Sequence, residues 1–300
     1  MKIFVTGGTG FVGRTLTKAL VEKGHEVTIL SRKSQKSNTP GINYVQGNPM
    51  TRGVWQDAAS QHECLINLAG ENVFGRWTRA KKKVIHDSRI ITTANLVEAV
   101  SRRQGKETRF LSASAVGYYG HHGDEKITEK SPAGFDFLAS VGRQWEAEAK
   151  KAETFGAGVV LCRFGVILGK NGGVLEKMLP IFSIGLGSAL GSGKQWFSWI
   201  HLDDLVRIFL FLLDHPEIKG PVNCTAPNPV RNSEFSKTLA EVLDRPHFMP
   251  KVPGLVIKTL MGEFGDVILK GQRVIPEKLM DSDFEFLMPD IKKALESIVR

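Results

Sequence analysis

Met1-Lys2-Ile3-Phe4-Val5-Thr6-Gly7-Gly8-Thr9-Gly10-Phe11-Val12-Gly13 opens the chain, and its reading decides the fold. Ile3 to Thr6 is an apolar, β-branched run of strand length. It breaks at the glycines and resumes as Phe11 to Lys23, with Val12, Leu16, Ala19 and Leu20 at helical spacing. The pattern is strand, tight turn, helix. Gly7 takes a turn geometry closed to other residues, Gly10 lets backbone approach a pyrophosphate, and Gly13 lets helix and strand lie close. The free N–H groups of the first helical turn then face the phosphates. Gly7, Thr9, Gly10, Phe11, Val12 and Gly13 are therefore the candidate dinucleotide-binding residues. A glycine triplet alone is weak, and a merely structural turn is the alternative. Here a second strand, Glu26 to Leu30, follows the Gly24-His25 break and supplies the βαβ setting that the motif requires.

The next residues are Ser31-Arg32-Lys33, then a polar loop from Ser34 to Gly41. An acidic residue closing this strand binds the ribose 2′-hydroxyl of NAD, whereas a basic one accommodates the 2′-phosphate of NADP. No Asp or Glu lies between Leu30 and Gly47. Arg32 argues for NADP, with Ser31 and Lys33 as helpers; an exposed loop arginine is the alternative. A charge-assisted contact of this kind contributes about 1.5–3 kcal/mol, enough for a tenfold cofactor preference.

A third strand (Ile42 to Val45) and a helix (about Arg52 to Ser60) lead to Cys64-Leu65-Ile66-Asn67-Leu68-Ala69-Gly70, an apolar strand ending in small residues. Ligands of open α/β sheets bind beyond the carboxyl ends of the strands, so Leu68, Ala69 and Gly70 join the cofactor candidates. Glu71 and Arg76 follow in a loop over the same edge. A long helix (about Lys81 to Arg103), a fifth strand (Arg109 to Ala113) and Ser112-Ala113-Ser114-Ala115-Val116-Gly117-Tyr118-Tyr119-Gly120 come next. Strands alternating with helices at this spacing describe a Rossmann-type α/β fold, a doubly wound parallel sheet. The chain leaves the sheet at Gly165. Residues 1–165, with 196–226 returning, form the NADP-binding domain; 166–195 and 227–300 form a smaller α/β substrate lobe, with Pro227-Asn228-Pro229 marking the boundary.

Composition narrows the function classes. The formal charge of +9, from 40 Lys and Arg against 31 Asp and Glu, fits nucleic acid or a phosphorylated cofactor equally. The densest basic stretch, Arg79 to Lys83, lies in a helical pattern without interleaved aromatics and reads as a solvated face, so no nucleic-acid partner is expected. Cys64, Cys162 and Cys224 lie in apolar runs without CxxC spacing and read as reduced thiols of a cytoplasmic protein. Met1 leads straight into the first strand, so no signal peptide is expected. The longest apolar run, Ile208 to Leu213, is far short of the roughly twenty residues of a membrane span, so no membrane partner is expected either.

Several segments together resemble the extended short-chain dehydrogenase/reductases of the nucleotide-sugar epimerase class: TGGTGFVG at the start, Asn67 to Gly70, the Ser-Ala-Ser-Ala…Tyr-Gly segment, Arg163 to Gly169 and Trp199-Ile200-His201-Leu202-Asp203-Asp204. The tokens NLAGE…RW…K…SR and GSGKQWFSWIH are similar, more narrowly, to the NAD-dependent epimerase/dehydratase-like branch of epimerase family SDR39U-type proteins. The resemblance runs from Met1 to the C-terminus. It implies NADP(H) binding and an unassigned small-molecule substrate. It also implies a Ser or Thr at the end of the fifth strand and a Tyr-x-x-x-Lys pair on the next helix, in which Lys lowers the Tyr pKa for proton exchange.

Ser114 fits the first of these positions. The helix near Asp136 does not supply the pair. Anchoring on Glu146 places Leu138 where Tyr is expected and Gly142 where Lys is expected, and none of Tyr44, Tyr118 and Tyr119 is followed by Lys four residues on. Ser114 is then the candidate for polarising a substrate oxygen, with Tyr118 or Tyr119 as a substitute acid and Arg143 as an electrostatic one; packing and capping are the alternatives. Arg163, at a strand end, meets either an anionic substrate or an internal ion partner. Gly185 to Lys194 fails as a phosphate loop, because Ser188 stands where Gly is needed and Gln195 where Ser or Thr is needed, and reads as a lid or rim. Asp203-Asp204 cap a helix from Leu205, Ser233 caps another, and His201 is either a pocket or a structural residue. No histidines or cysteines stand at metal-ligand spacing. The expected function is an NADP(H)-dependent oxidoreductase or epimerase acting on a small hydroxyl or carbonyl compound. The alternative is a non-catalytic NADP(H) sensor or scaffold. Oligomeric state stays open, with a homodimer among the options.

Overall fold

The computed structural model describes residues 1–103 and 105–299. Seven strands form the central sheet: β1 (Lys2–Thr6), β2 (Glu26–Ser31), β3 (Ile42–Gln46), β4 (Cys64–Asn67), β5 (Thr108–Ala115), β6 (Ala157–Phe164) and β7 (Gly220–Cys224). Their order is β7-β6-β5-β4-β1-β2-β3, and every pairing is parallel. Strand order reverses between β1 and β4, which opens a crevice at the carboxyl edge. Register brings the functional positions to that edge: Thr6 lies beside Leu30 and Asn67, Asn67 beside Ser112, and Ser114 beside Arg163.

Helices are α1 (Phe11–Glu22), α2 (Trp55–Ser60), α3 (Arg79–Ser101), α4 (Phe137–Lys150), α5 (Leu175–Ser183), α6 (Leu202–Asp214), α7 (Asn232–Val242), α8 (Gly254–Met261), α9 (Glu263–Leu269), α10 (Glu277–Asp281) and α11 (Ile291–Val299). The strands read as continuous apolar runs because both faces are covered. Along β1, Ile3 and Val5 pack with Leu16 of α1 and Leu205 and Phe209 of α6, while Phe4 packs the other way with Trp55, Leu96 and Phe110. Each such side chain contributes roughly 1.5–3 kcal/mol.

The second lobe has its own core of Leu175, Phe182, Phe235, Leu239 and Leu295, from α5, α7 and α11. Three short ladders knit it to the sheet. Val166–Leu168 pairs with Trp199–His201, Trp196–Phe197 with Val230–Arg231, and Lys126–Ile127 with Arg273–Val274.

Two helix starts differ from the sequence reading. α6 begins at Leu202, and the His201 ring caps it: Nδ1 accepts the Asp203 N–H at 3.1 Å. Burial holds that imidazole below its ordinary value, which favours the neutral form an acceptor needs. Asp204, fully buried, instead accepts the N–H groups of Leu287 and Met288 at 2.8 and 2.9 Å. α7 begins at Asn232 without a side-chain cap, and Asn232 Oδ1 is taken by the Leu190 N–H at 2.8 Å. At α6 a tertiary partner has claimed Asp204, one of the side chains that local sequence offers as a cap; at α7 the Ser233 offered as a cap lies inside the first turn instead.

Candidate functional site

The glycine turn is built by backbone crowding. Gly7 has φ +74°, and a Cβ there would come within 2.7 Å of the Leu68 carbonyl carbon. One on Gly13 would come within 2.2 Å of the Gly7 oxygen. The Gly10 N–H closes the turn onto Gly7 O at 3.0 Å, and Arg14 Nε donates to Thr9 O at 2.8 Å. α1 starts with no side-chain cap and no acidic residue in its first turn, so the N–H dipoles at Phe11, Val12 and Gly13 point out of the helix uncompensated. The Phe11 ring itself is nested in a glycine loop of the second lobe; a Cβ on Gly172 would approach it to 2.4 Å. Phe11 thus offers its backbone, not its ring. Val12 packs on the sheet core, and Thr9 is half-buried.

At the end of β2, Ser31 Oγ is engaged locally, donating to Lys33 O at 2.8 Å and accepting from Lys33 N and Gln35 Nε2. Arg32 and Lys33 are exposed and make no side-chain hydrogen bond or ion pair among the described residues. At the end of β4, Asn67 Oδ1 accepts from Thr6 Oγ1 at 2.8 Å and from the Ala69 N–H at 3.3 Å, which fixes Leu68 to Gly70 against Gly7.

The loop that follows is organised differently from its sequence reading. Glu71 is paired with Lys81 at 2.8 Å, and its carbonyl accepts from Arg89 Nη1 at 3.1 Å. Burial pulls Arg89 down to about 10, still charged at neutral pH. Arg89, which sequence reasoning did not single out, lies 3.3 Å from where a Gly70 Cβ would stand. Arg76 reaches to the second lobe beside Gly262.

Relatives of the resembling class place their proton chemistry where β5 meets α4. Here Leu138 packs on Gly117, with its Cβ 3.3 Å from a notional Gly117 Cβ, and Gly142 leaves room for Tyr118 at 3.2 Å. Ser114 Oγ donates to Glu146 Oε1 at 2.7 Å. Arg163 grips the same carboxylate with two bonds, Nε at 2.8 Å and Nη2 at 2.7 Å, and both side chains are about 5% exposed or less. Burial alone would lower the Arg163 guanidinium; Glu146 outweighs it and raises it. Arg163 is an internal ion partner. Its Nη1 donates to Tyr119 OH at 2.8 Å, and that hydroxyl donates to Asn223 Oδ1 at 2.6 Å. Burial lifts the Tyr119 phenol to about 12. Tyr118 lies with its ring 3.7 Å from the Arg163 guanidinium, half-buried, and its hydroxyl has no partner among the described residues. Arg143 is exposed and donates to Gly134 O at 2.7 Å, holding the loop before α4. Ser114 shares Glu146 with Arg163, on which the Tyr118 ring lies, and Arg143 stands apart.

Sequence reasoning also missed a cluster between the lobes. Trp196 is flanked by the guanidinium groups of Arg231 at 3.8 Å and Arg273 at 4.7 Å. Asp124 takes Arg231 at 2.6 Å and the Trp196 indole at 2.9 Å. Arg273 forms no ion pair among the described residues, and its buried Nε lacks a partner. The glycine-rich segment 185–194 is pinned rather than loose: Gly191 N donates to Val252 O and Val252 N to Ala189 O, each at 2.9 Å. The only sequence signal of the Trp196 cluster was the QW of the GSGKQWFSWIH token.

Behind this cluster lies Glu129. Burial raises its carboxyl above the usual value, although Oε1 accepts from the Asn223 and Lys278 N–H groups at 2.9 and 3.3 Å, because Oε2 has no partner. A raised folded value contributes stability below pH 4.5, the ordinary glutamate value, which is lost as pH rises through the folded value. Glu129→Gln is therefore expected to raise the melting temperature at neutral pH, with the gain fading on acidification. A gain that persists unchanged in acid would refute this.

Among the described residues no three His, Cys, Asp or Glu side chains converge as metal ligands, and no helix is long and apolar enough to cross a membrane. Residues 3–224 match the NAD dependent epimerase/dehydratase family, and residues 252–298 match a domain of unknown function (DUF1731). The chain is 40% identical to the chloroplastic "Epimerase family protein SDR39U1 homolog" of Arabidopsis thaliana, over 100% of this chain and 87% of that protein. It is 38% identical to the epimerase family protein YfhF of Bacillus subtilis, covering 100% and 98%. The crystal structure of human epimerase family protein SDR39U1 (isoform 2) with NADPH superposes with a TM-score of 0.87 at 33% identity, over 99% of each chain. The chain thus belongs to the NAD-dependent epimerase/dehydratase family, among its SDR39U1-type members.

Proposed function

We propose that the chain binds NADP(H) at the crevice between β1 and β4 and acts as an oxidoreductase or epimerase on a small hydroxyl or carbonyl compound. The observation that carries this is the glycine cradle. Its backbone admits no Cβ at Gly7 or Gly13, and it presents an uncapped helix start beside two free cations, Arg32 and Lys33. The NADPH of the human relative supports the choice of nucleotide. Gly7, Thr9, Gly10 and the first turn of α1 would hold the pyrophosphate, Arg32 with Lys33 the 2′-phosphate, and Leu68 to Gly70 the wall between them. When bound, the nicotinamide supplies or accepts hydride. Of the two candidates for the accompanying proton, Tyr118 keeps an unengaged hydroxyl, whereas Tyr119 donates to Asn223; Ser114 and Arg143 are likewise taken, by Glu146 and Gly134.

A second reading, a nucleotide-binding sensor without turnover, is favoured by Leu138 and Gly142 at the positions where the resemblance to the extended short-chain class implies Tyr and Lys. NADPH consumption across a panel of carbonyl compounds separates the two readings; absorbance loss with none of them favours the sensor.

Cofactor choice has its own test. NADPH at 100 times its dissociation constant is expected to stabilise the fold by about 2.7 kcal/mol, seen as a melting shift. NADH should do less, and Arg32→Asp should shrink the difference. Equal shifts from both nucleotides would remove Arg32 from the site.

A further inference from the structure

Two kinds of surface meet where the second lobe adjoins the end of β5. One is apolar. Leu138, Phe137, Val73, Val267 and Ile268 pack partly buried around Trp77 and Phe264, so the end of β5 is faced by hydrocarbon from α4 and α9. The other is the Trp196 cluster, whose Arg273 forms no ion pair among the described residues and keeps its buried Nε without a partner. Asp124 is near enough to feel Arg273, but its carboxylate is bound by Arg231 and the indole.

Short contacts join the two surfaces. Gln272, next to Arg273, donates to Val116 O at 2.8 Å, and Val116 precedes the Gly117 on which Leu138 packs. Gln195, next to Trp196, donates to Leu190 O at 2.9 Å and reaches Ile268 O at 3.4 Å. Two buried polar atoms at this junction lack any protein partner: Arg273 Nε, a donor, and Gln195 Oε1, an acceptor. Buried groups of this kind are costly unless something satisfies them.

We propose that the site takes an amphipathic anion: a hydroxyl or carbonyl compound with an apolar body and one anionic head group. The head is held by Arg273, the body lies along Leu138 and Ile268, and Gln195 Oε1 accepts from a hydroxyl of the ligand. The inference rests on the coenzyme-binding reading and narrows its substrate. A sugar ring in the same place would desolvate its hydroxyls against side chains that return no hydrogen bond. A hydrocarbon body gains from the same burial.

Calorimetric titration of the full chain, first with NADPH and then with decanoate, acetate or UDP-glucose, tests this without any turnover. Decanoate is expected to bind at least about tenfold more tightly than acetate. Arg273→Ala should weaken decanoate by about tenfold or more while leaving NADPH affinity unchanged. Leu138→Asn should weaken decanoate but not acetate. Unchanged NADPH binding by both variants shows that they are folded. UDP-glucose binding more tightly than decanoate, or decanoate affinity indifferent to Arg273→Ala, overturns the inference. Failure of the coenzyme reading is visible separately, as no NADPH heat in the natural chain. Decanoate titrated into the free protein then still reports on Arg273.

Discussion

A Gly10→Asp variant is expected to fold at least as well as the natural chain and to bind NADPH about a hundredfold more weakly, a loss of about 2.8 kcal/mol. Gly10 is the N-cap residue of α1 with φ −79° and ψ −177°, an extended conformation open to any residue, and its Cβ would meet only Gly7 O at 3.2 Å. Aspartate is among the best N-cap residues, because its carboxylate accepts the free first-turn N–H groups and complements the helix dipole. Those are the groups assigned to the pyrophosphate. The substitution satisfies the helix and blocks the ligand, so stability and binding should move in opposite directions. A variant with unchanged melting temperature and undiminished NADPH affinity would show that the phosphates lie elsewhere. Gly13→Ala makes a poor substitute, since a Cβ 2.2 Å from backbone would confuse misfolding with lost binding.

The second large effect concerns the ion pair under the site. Glu146→Ala should lower stability by about 3–5 kcal/mol, because it strands the Arg163 guanidinium in an interior it entered only with a partner. Ser114 loses its acceptor in the same step. Replacing both members at once, Glu146→Leu with Arg163→Met, should cost less than the single change, since no buried charge is left alone. Denaturant unfolding of the three proteins measures this. A single variant within about 1 kcal/mol of the natural chain would contradict the assignment of Glu146 and Arg163 as an internal pair.

The parallel sheet and the glycine turn that opens it were readable because their signals are local. A strand, a glycine turn and a helix within the first 22 residues announce both. Arg163 was ambiguous in sequence because its partner is 17 residues away on another element, and its burial with that partner follows from the packing of β6 on α4. Ser114 looked available for the same reason. Its hydroxyl is at the expected strand end, but the register beside Arg163 hands it to Glu146. Arg273 was invisible: its stack on Trp196 joins residues far apart in sequence through ladders of only two pairs each. His201 was open in sequence between a pocket and a structural role, and the fold gives it the structural one, since a ring nitrogen took the N-cap duty that the neighbouring aspartates advertise.

The position of β7 has a consequence for biosynthesis. The strand Gly220–Cys224 is the outermost of the sheet, yet it pairs with β6, which ends at Phe164. A ribosome therefore releases β6 with its hydrogen-bonding flank bare and keeps it so until residue 224 has cleared the exit tunnel, while residues 165–219 are translated in between. Unpaired flanks of this kind are sites of intermolecular association. Premature termination between residues 165 and 220 would leave nascent products prone to clump, and cutting the gene after residue 165 would give such a fragment instead of a free-standing nucleotide-binding unit.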